Sequence, residues 1–182
     1  VASGRPVILL TAHFGNWELT SIIAALEGHP IVALARAQTR FPRLYRLLVS
    51  YRESKGCWIV HKGIGMRRLV QALKRGELAG VVGDQASRQG LFVDFFGRPA
   101  LFATGPFELA RSNRALIVPG FIHRLRGPFH RGFLEPVIDL AQEQGTAEAV
   151  VRGGIERFAA LLERHIEQDP AQWLWLHKRW KH

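Results

Sequence analysis

"PVILLTAHFGNWELTSIIAAL", residues 6 to 26, decides the fold. Its first seven residues are an apolar run of strand length. The period then changes. Leu19, Ile22, Ile23 and Leu26 fall at i, i+3, i+4 and i+7, which predicts a helix burying that set as one face. Asn16 is placed to cap this helix, with Glu18 near its first turn and Gly28 ending it. The chain then repeats the strand-to-helix unit. "IVALAR" (31–36) reads as a second strand, and Leu44, Leu47, Leu48 and Tyr51 carry helical spacing up to Gly56. "CWIV" (57–60) is a third strand, and Met66, Leu69, Val70 and Leu73 make a helix closed by Gly76. "LAGVVGD" (78–84) is a fourth strand. This alternation argues for an α/β fold with a mainly parallel central sheet flanked by helices.

Residues 85–105 break the rhythm. They hold Phe and Gly without helical period and read as a long functional loop with a short strand inside. A helix at "PFELARSN" follows, then a strand over 115–124 with an antiparallel partner over 129–138. A last helix over 146–167 shows Val151, Ile155, Phe158, Leu162 and Ile166 on one face. No internal repeat or low-complexity linker divides the chain, so residues 1–182 are read as a single domain.

Composition narrows the function. With 182 residues, 47% hydrophobic and 22% charged, the chain can bury a core. No run of 18 apolar residues is present, so no membrane span is expected. No signal peptide is expected either, because no cleavage-like site follows the first apolar run. The lone Cys57 excludes an internal disulfide and a cysteine metal cluster, and fits a reducing compartment. At the start of an apolar strand, it reads as a small buried hydrophobe. The net charge of +10 attracts polyanions: nucleic acid, anionic head groups, phosphorylated substrates or an acidic protein.

In an open α/β sheet, ligands bind beyond the C-terminal strand ends. His13 follows the first strand there, Arg36 closes the second, Asp84 and Gln85 close the fourth, and Arg124 closes a later one. A neutral His accepts a proton from a hydroxyl, and does so better when a carboxylate holds its other ring nitrogen. Glu18 lies five residues on, across a tight turn. Spacing alone leaves two even readings: a working pair, or a loop His beside a Glu that favours the helix dipole. No G-x-S-x-G elbow exists, and the His residues lack metal-ligand spacing, so neither a Ser nucleophile nor a metal or other cofactor is expected.

The segment "HFGNWE" has the H-x-x-x-x-D/E pattern of glycerolipid-type acyltransferases. With "ARAQTR", "YRESKG", "GDQASRQGLFVDFFGRPALFATGPFELARSNRALIVPGFIHR" and "QWLWLHKRW" in order, the chain resembles the bacterial lipid A biosynthesis acyltransferases, the late lauroyl/myristoyl transferase family. Asp84-Gln85 followed by G-x-F-V-x-F-F-G is specific to that group. The resemblance implies a glycerolipid-acyltransferase-like fold and direct transfer of an acyl chain from an acyl carrier protein thioester, or from acyl-CoA. The acceptor would be a hydroxyl of an anionic glycolipid, a lipid A precursor in lipopolysaccharide biosynthesis. His13 would be the general base and Glu18 its orienting partner, with no covalent intermediate. Asp84 would be a structural carboxylate paired with an Arg, or a second partner of His13. Arg36, Arg52, Gln85, Gly90 and Arg124 would bind substrate. The oxyanion donors would be backbone N–H groups around Gly90 or an Arg side chain.

The family also carries an N-terminal membrane anchor. This chain opens at Val1 almost directly on a strand, so we expect a fragment without that anchor, acting at a membrane surface on the cytoplasmic face of the bacterial inner membrane. "QWLWLHKRWKH" suits a membrane interface or a tail packed on the domain. The Phe-rich stretch suits an acyl-chain pocket or core. A second enzyme reading is acyl transfer to another glycolipid, such as a mannosylated one, or to a phospholipid. The competing non-enzymatic reading is a module binding anionic lipid or nucleic acid. Nucleic acid is disfavoured, since no helix carries a continuous basic stripe.

Overall fold

The computed structural model describes residues 4–35, 39–61, 64–86 and 90–180. Three βα units and a fourth strand open the chain: β1 (Val7–Thr11), α1 (Glu18–Leu26), β2 (Ile31–Ala35), α2 (Pro42–Glu53), β3 (Cys57–His61), α3 (Ile64–Lys74) and β4 (Leu78–Val82). A hairpin, β5 (Gly90–Phe95) and β6 (Arg98–Ala103), leads to α4 (Gly105–Ser112). β7 (Leu116–Arg126), β8 (Phe129–Leu134) and α5 (Ala147–Gln168) complete it.

The main sheet has six strands in the order β3-β2-β4-β1-β7-β8, parallel except for the β7–β8 pair. β1 is central and its five residues are all buried, as a parallel strand covered on both faces should be. Period 2 splits it between two cores. Ile8 and Leu10 face the larger one, with Leu69 and Leu73 of α3, Phe107 of α4 and Phe158 of α5. Val7 and Leu9 face a smaller one, where Ala24 and Ala25 of α1 pack. Each such apolar side chain contributes roughly 1.5–3 kcal/mol on burial.

Three sequence expectations change. Residues 85–105 are not a loop with one strand: β5 and β6 form a two-stranded sheet with register Gly90↔Ala103 to Phe95↔Arg98. Alternation in V-x-F and A-x-F hides there because Phe95, Ala100 and Phe102 are all driven inward, fully buried in the larger core. That gives the Phe-rich stretch its core reading. The α1 face is also narrower than expected, with Ile22 buried and Leu26 67% exposed. The capping position of α1 is Trp17, not Asn16, and no side chain caps it; the Asn16 amide instead lies 3.4 Å from His130.

Candidate active site

The register Thr11↔Val82 sets β1 and β4 side by side and level at their C-terminal ends. His13 and Asp84 each lie two residues past those paired positions, so they emerge together. His13 Nδ1 and Asp84 Oδ1 are 2.6 Å apart, and the His13 backbone N–H donates to Asp84 Oδ2 at 3.0 Å. The Trp173 indole N–H donates to the same Oδ2 at 3.0 Å. The Asp84 side chain is 4% exposed and that of His13 19%. Burial opposes the Asp84 charge, but the hydrogen bonds from His13 and Trp173 outweigh it and hold the carboxyl below the usual carboxylate range.

With Nδ1–H donating to Asp84, His13 Nε2 is left as the acceptor. Gln85 Nε2 lies 3.4 Å from it. The ring is steadied edge-on by Trp17, with centroids 5.0 Å apart. The turn that aims His13 requires glycine next but one: Gly15 has φ +55°, and a Cβ there would lie 1.8 Å from the Ile122 carbonyl oxygen. This arrangement can take a proton from a hydroxyl and stabilise the resulting imidazolium.

Glu18 does not hold His13. Its carboxylate is taken bidentately by Arg52, whose Nε donates at 2.9 Å and Nη2 at 2.5 Å. The reason is direction: Glu18 begins α1 and faces α2 across the sheet edge, whereas the His13 ring turns toward β4. Arg52, expected as a substrate cation, is therefore already paired. Gly90 opens β5, and a Cβ there would lie 2.4 Å from the Phe102 carbonyl oxygen, so close hairpin packing explains it. Arg36 lies outside the described residues. Arg124 sits on the extension of β7 past β1, and its Nε donates to the Gly127 carbonyl at 3.0 Å. It lines an open polar groove of about 480 Å³ with Gly15, Asn16, Arg126 and Gln172.

Trp173 escaped the sequence reading as a site residue. The "QWLW" stretch drew notice for its composition, but only the fold shows its indole reaching Asp84, 89 residues away. Cys57 is fully buried, and burial pushes its thiol pKa up, which suits a packed hydrophobe and not a nucleophile. Among the described residues, no group of three His, Cys, Asp or Glu side chains is placed to hold a metal ion.

The family described as "Bacterial lipid A biosynthesis acyltransferase" matches residues 1–182. A phosphatidylinositol mannoside acyltransferase of Mycolicibacterium smegmatis is 28% identical over 184 residues, covering 98% of this chain and 58% of the relative. Its namesake in Mycobacterium tuberculosis H37Rv is 26% identical over 186 residues, covering 99% and 56%. A lipid A biosynthesis acyltransferase of Haemophilus influenzae is 22% identical over 179 residues, covering 96% and 54%. The chain spans little more than half the length of these curated relatives.

Proposed function

This chain belongs to the bacterial lipid A biosynthesis acyltransferase family, and on that premise we propose that residues 1–182 form one acyltransferase domain in which His13 is the general base and Asp84 its orienting partner. The observation that carries the reading is the 2.6 Å contact from His13 Nδ1 to a buried, ionised Asp84, with Nε2 left to accept a proton. The donor is an acyl thioester, on acyl carrier protein or CoA. The acceptor is a hydroxyl of an anionic glycolipid, and for the lipid A branch a lipid A precursor.

The step balances without a covalent enzyme intermediate. The acceptor oxygen attacks the thioester carbonyl carbon as its proton passes to His13 Nε2. The C–S bond then breaks, an ester forms, and the imidazolium returns the proton to the departing thiolate. A thiol of pKa near ~8.5 needs little further help in leaving. The tetrahedral oxyanion requires preorganised donors. Gln85 Nε2, released when the acceptor hydroxyl takes its place at His13 Nε2, is one such donor.

The groove beside Gly15, with Arg124 and Arg126 on its wall, supports an anionic acceptor. Helix α2 supports a membrane surface as partner and a location on the cytoplasmic face of the inner membrane. It exposes Leu44, Leu47 and Tyr51 between Arg43, Arg46 and Lys55. No helix of the described residues is long and apolar enough to cross a membrane. A second acceptor class, a mannosylated phosphoinositide, is favoured by the names and the 26–28% identity of the mycobacterial relatives.

The test is acyl transfer by purified His13→Ala from acyl carrier protein or CoA donors to each acceptor class. Turnover should fall about 10²–10⁴-fold with circular dichroism unchanged. Near-normal turnover in a folded variant removes His13 from the base role.

A further inference from the structure

The C-terminal stretch Gln172–Trp180 is wired into the site at one end and anchored in the core at the other. Two backbone bonds join it to the His13 loop: Gly15 N–H to the Gln172 carbonyl at 2.9 Å, and Leu174 N–H to the His13 carbonyl at 3.0 Å. The Gln172 side chain also clasps the Arg124 backbone, accepting from its N–H at 2.7 Å and donating to its carbonyl at 3.0 Å. Trp173, 4% exposed, then reaches Asp84 Oδ2. That oxygen carries two donors, the Trp173 indole and the His13 amide, so the carboxylate plane is fixed with Oδ1 aimed at His13 Nδ1.

We propose that this stretch is a positioning arm of the active site, with Trp173 as the residue that fixes the Asp84 carboxylate for His13. The proposal rests on His13 acting as the base. The far end shows why the arm holds. Arg179 is 2% exposed, its Nη1 donates to the Leu101 carbonyl at 2.6 Å, and its guanidinium lies 3.9 Å over the Phe102 ring. The Trp180 indole donates to the Phe95 carbonyl at 3.3 Å. A tail that only covered apolar surface would have no reason to bury a cation whose Nε and Nη2 lack partners, since such burial is costly. Burial pushes the Arg179 pKa down to about 10, and the Asp84 charge works against that fall.

Trp173→Phe keeps an aromatic ring beside Phe95 and removes the N–H together with part of the indole's volume. In the purified protein, kcat should fall about tenfold or more, with KM within about twofold. With Trp173 retained, its indole proton resonance should move on Asp84→Asn, and this reading does not depend on the Phe variant folding. Unchanged kcat in folded Trp173→Phe, or an indole resonance that ignores Asp84→Asn, overturns the arm. His13→Ala is run alongside. If it stays active, the base reading fails. If it is dead while Trp173→Phe is fully active, the arm alone fails.

Discussion

Two carboxylate pairs stand at the same end of the sheet, one with a histidine and one with an arginine, and they are built differently. Asp84 and His13 come from adjacent central strands, with three hydrogen bonds converging on a carboxylate that is 4% exposed. Glu18 and Arg52 come from α1 and α2, and the Glu18 side chain is 37% exposed. The first pair leaves a ring nitrogen unfilled by protein carboxylate and turned to the site. The second satisfies its cation bidentately and leaves nothing over for chemistry. Arg52 is the buried residue of α2 among the described residues, so the second pair pins an otherwise exposed helix to the domain. Sequence proximity to His13 therefore marks the pair that closes on itself, and the distant carboxylate is the one that His13 meets.

The sharpest break of that contrast is Asp84→Asn against Glu18→Gln. The first should lower acyl transfer about 10²–10⁴-fold, because the amide neither fixes the His13 tautomer nor stabilises the imidazolium. The second should cost less than about tenfold in transfer, and about 1 kcal/mol of stability given its exposure. The reverse order in steady-state assays would return the orienting role to Glu18.

A smaller effect comes from another His–carboxylate chain behind Phe14. His123 Nε2 lies 2.7 Å from His165 Nδ1, and His165 Nε2 lies 2.9 Å from Glu135. Burial pushes the pKa of both histidines down, so both are held neutral in the fold. The unfolded chain then binds more protons than the folded one between their lowered values and about 6.5, and stability rises with pH across that window. Thermal unfolding should show a loss of Tm as pH falls from about 6.5 towards 5, flattened in His123→Gln. Asp84 and Asp139, whose pKa values are also lowered, act on stability only below about pH 4. A Tm indifferent to pH above 5 would show that this second chain does not titrate on unfolding.

The smallest change expected is at Cys57, which lies on the Glu18–Arg52 side and feels both charges. Cys57→Ala should keep turnover within about twofold. Intact mass after incubation with acyl donor alone should show no added chain. An adduct lost in that variant would replace direct transfer with a covalent route.

The repeated change from strand run to 3.6-residue period was enough to give the α/β class, because both faces of β1 must be covered and the chain supplies a helix after each of its first three strands. The α5 face, with Val151, Ile155, Phe158, Leu162 and Ile166 buried, was equally legible. So was the convergence of His13, Asp84 and Gln85 beyond the strand ends. The β5–β6 hairpin was not, since a strand that packs Phe inward on alternate residues looks like any Phe-rich loop until its partner is known. Helices α1 and α2 misled, as apolar spacing records amphipathicity and does not say what covers the apolar side. Strand order was the decisive thing missing. Local sequence sets which residues end a strand, but hydrogen bonding between strands distant in sequence sets which ends are neighbours. By pairing β1 with β4 in the register Thr11↔Val82, the tertiary structure gave His13 to Asp84 and left Glu18 to Arg52.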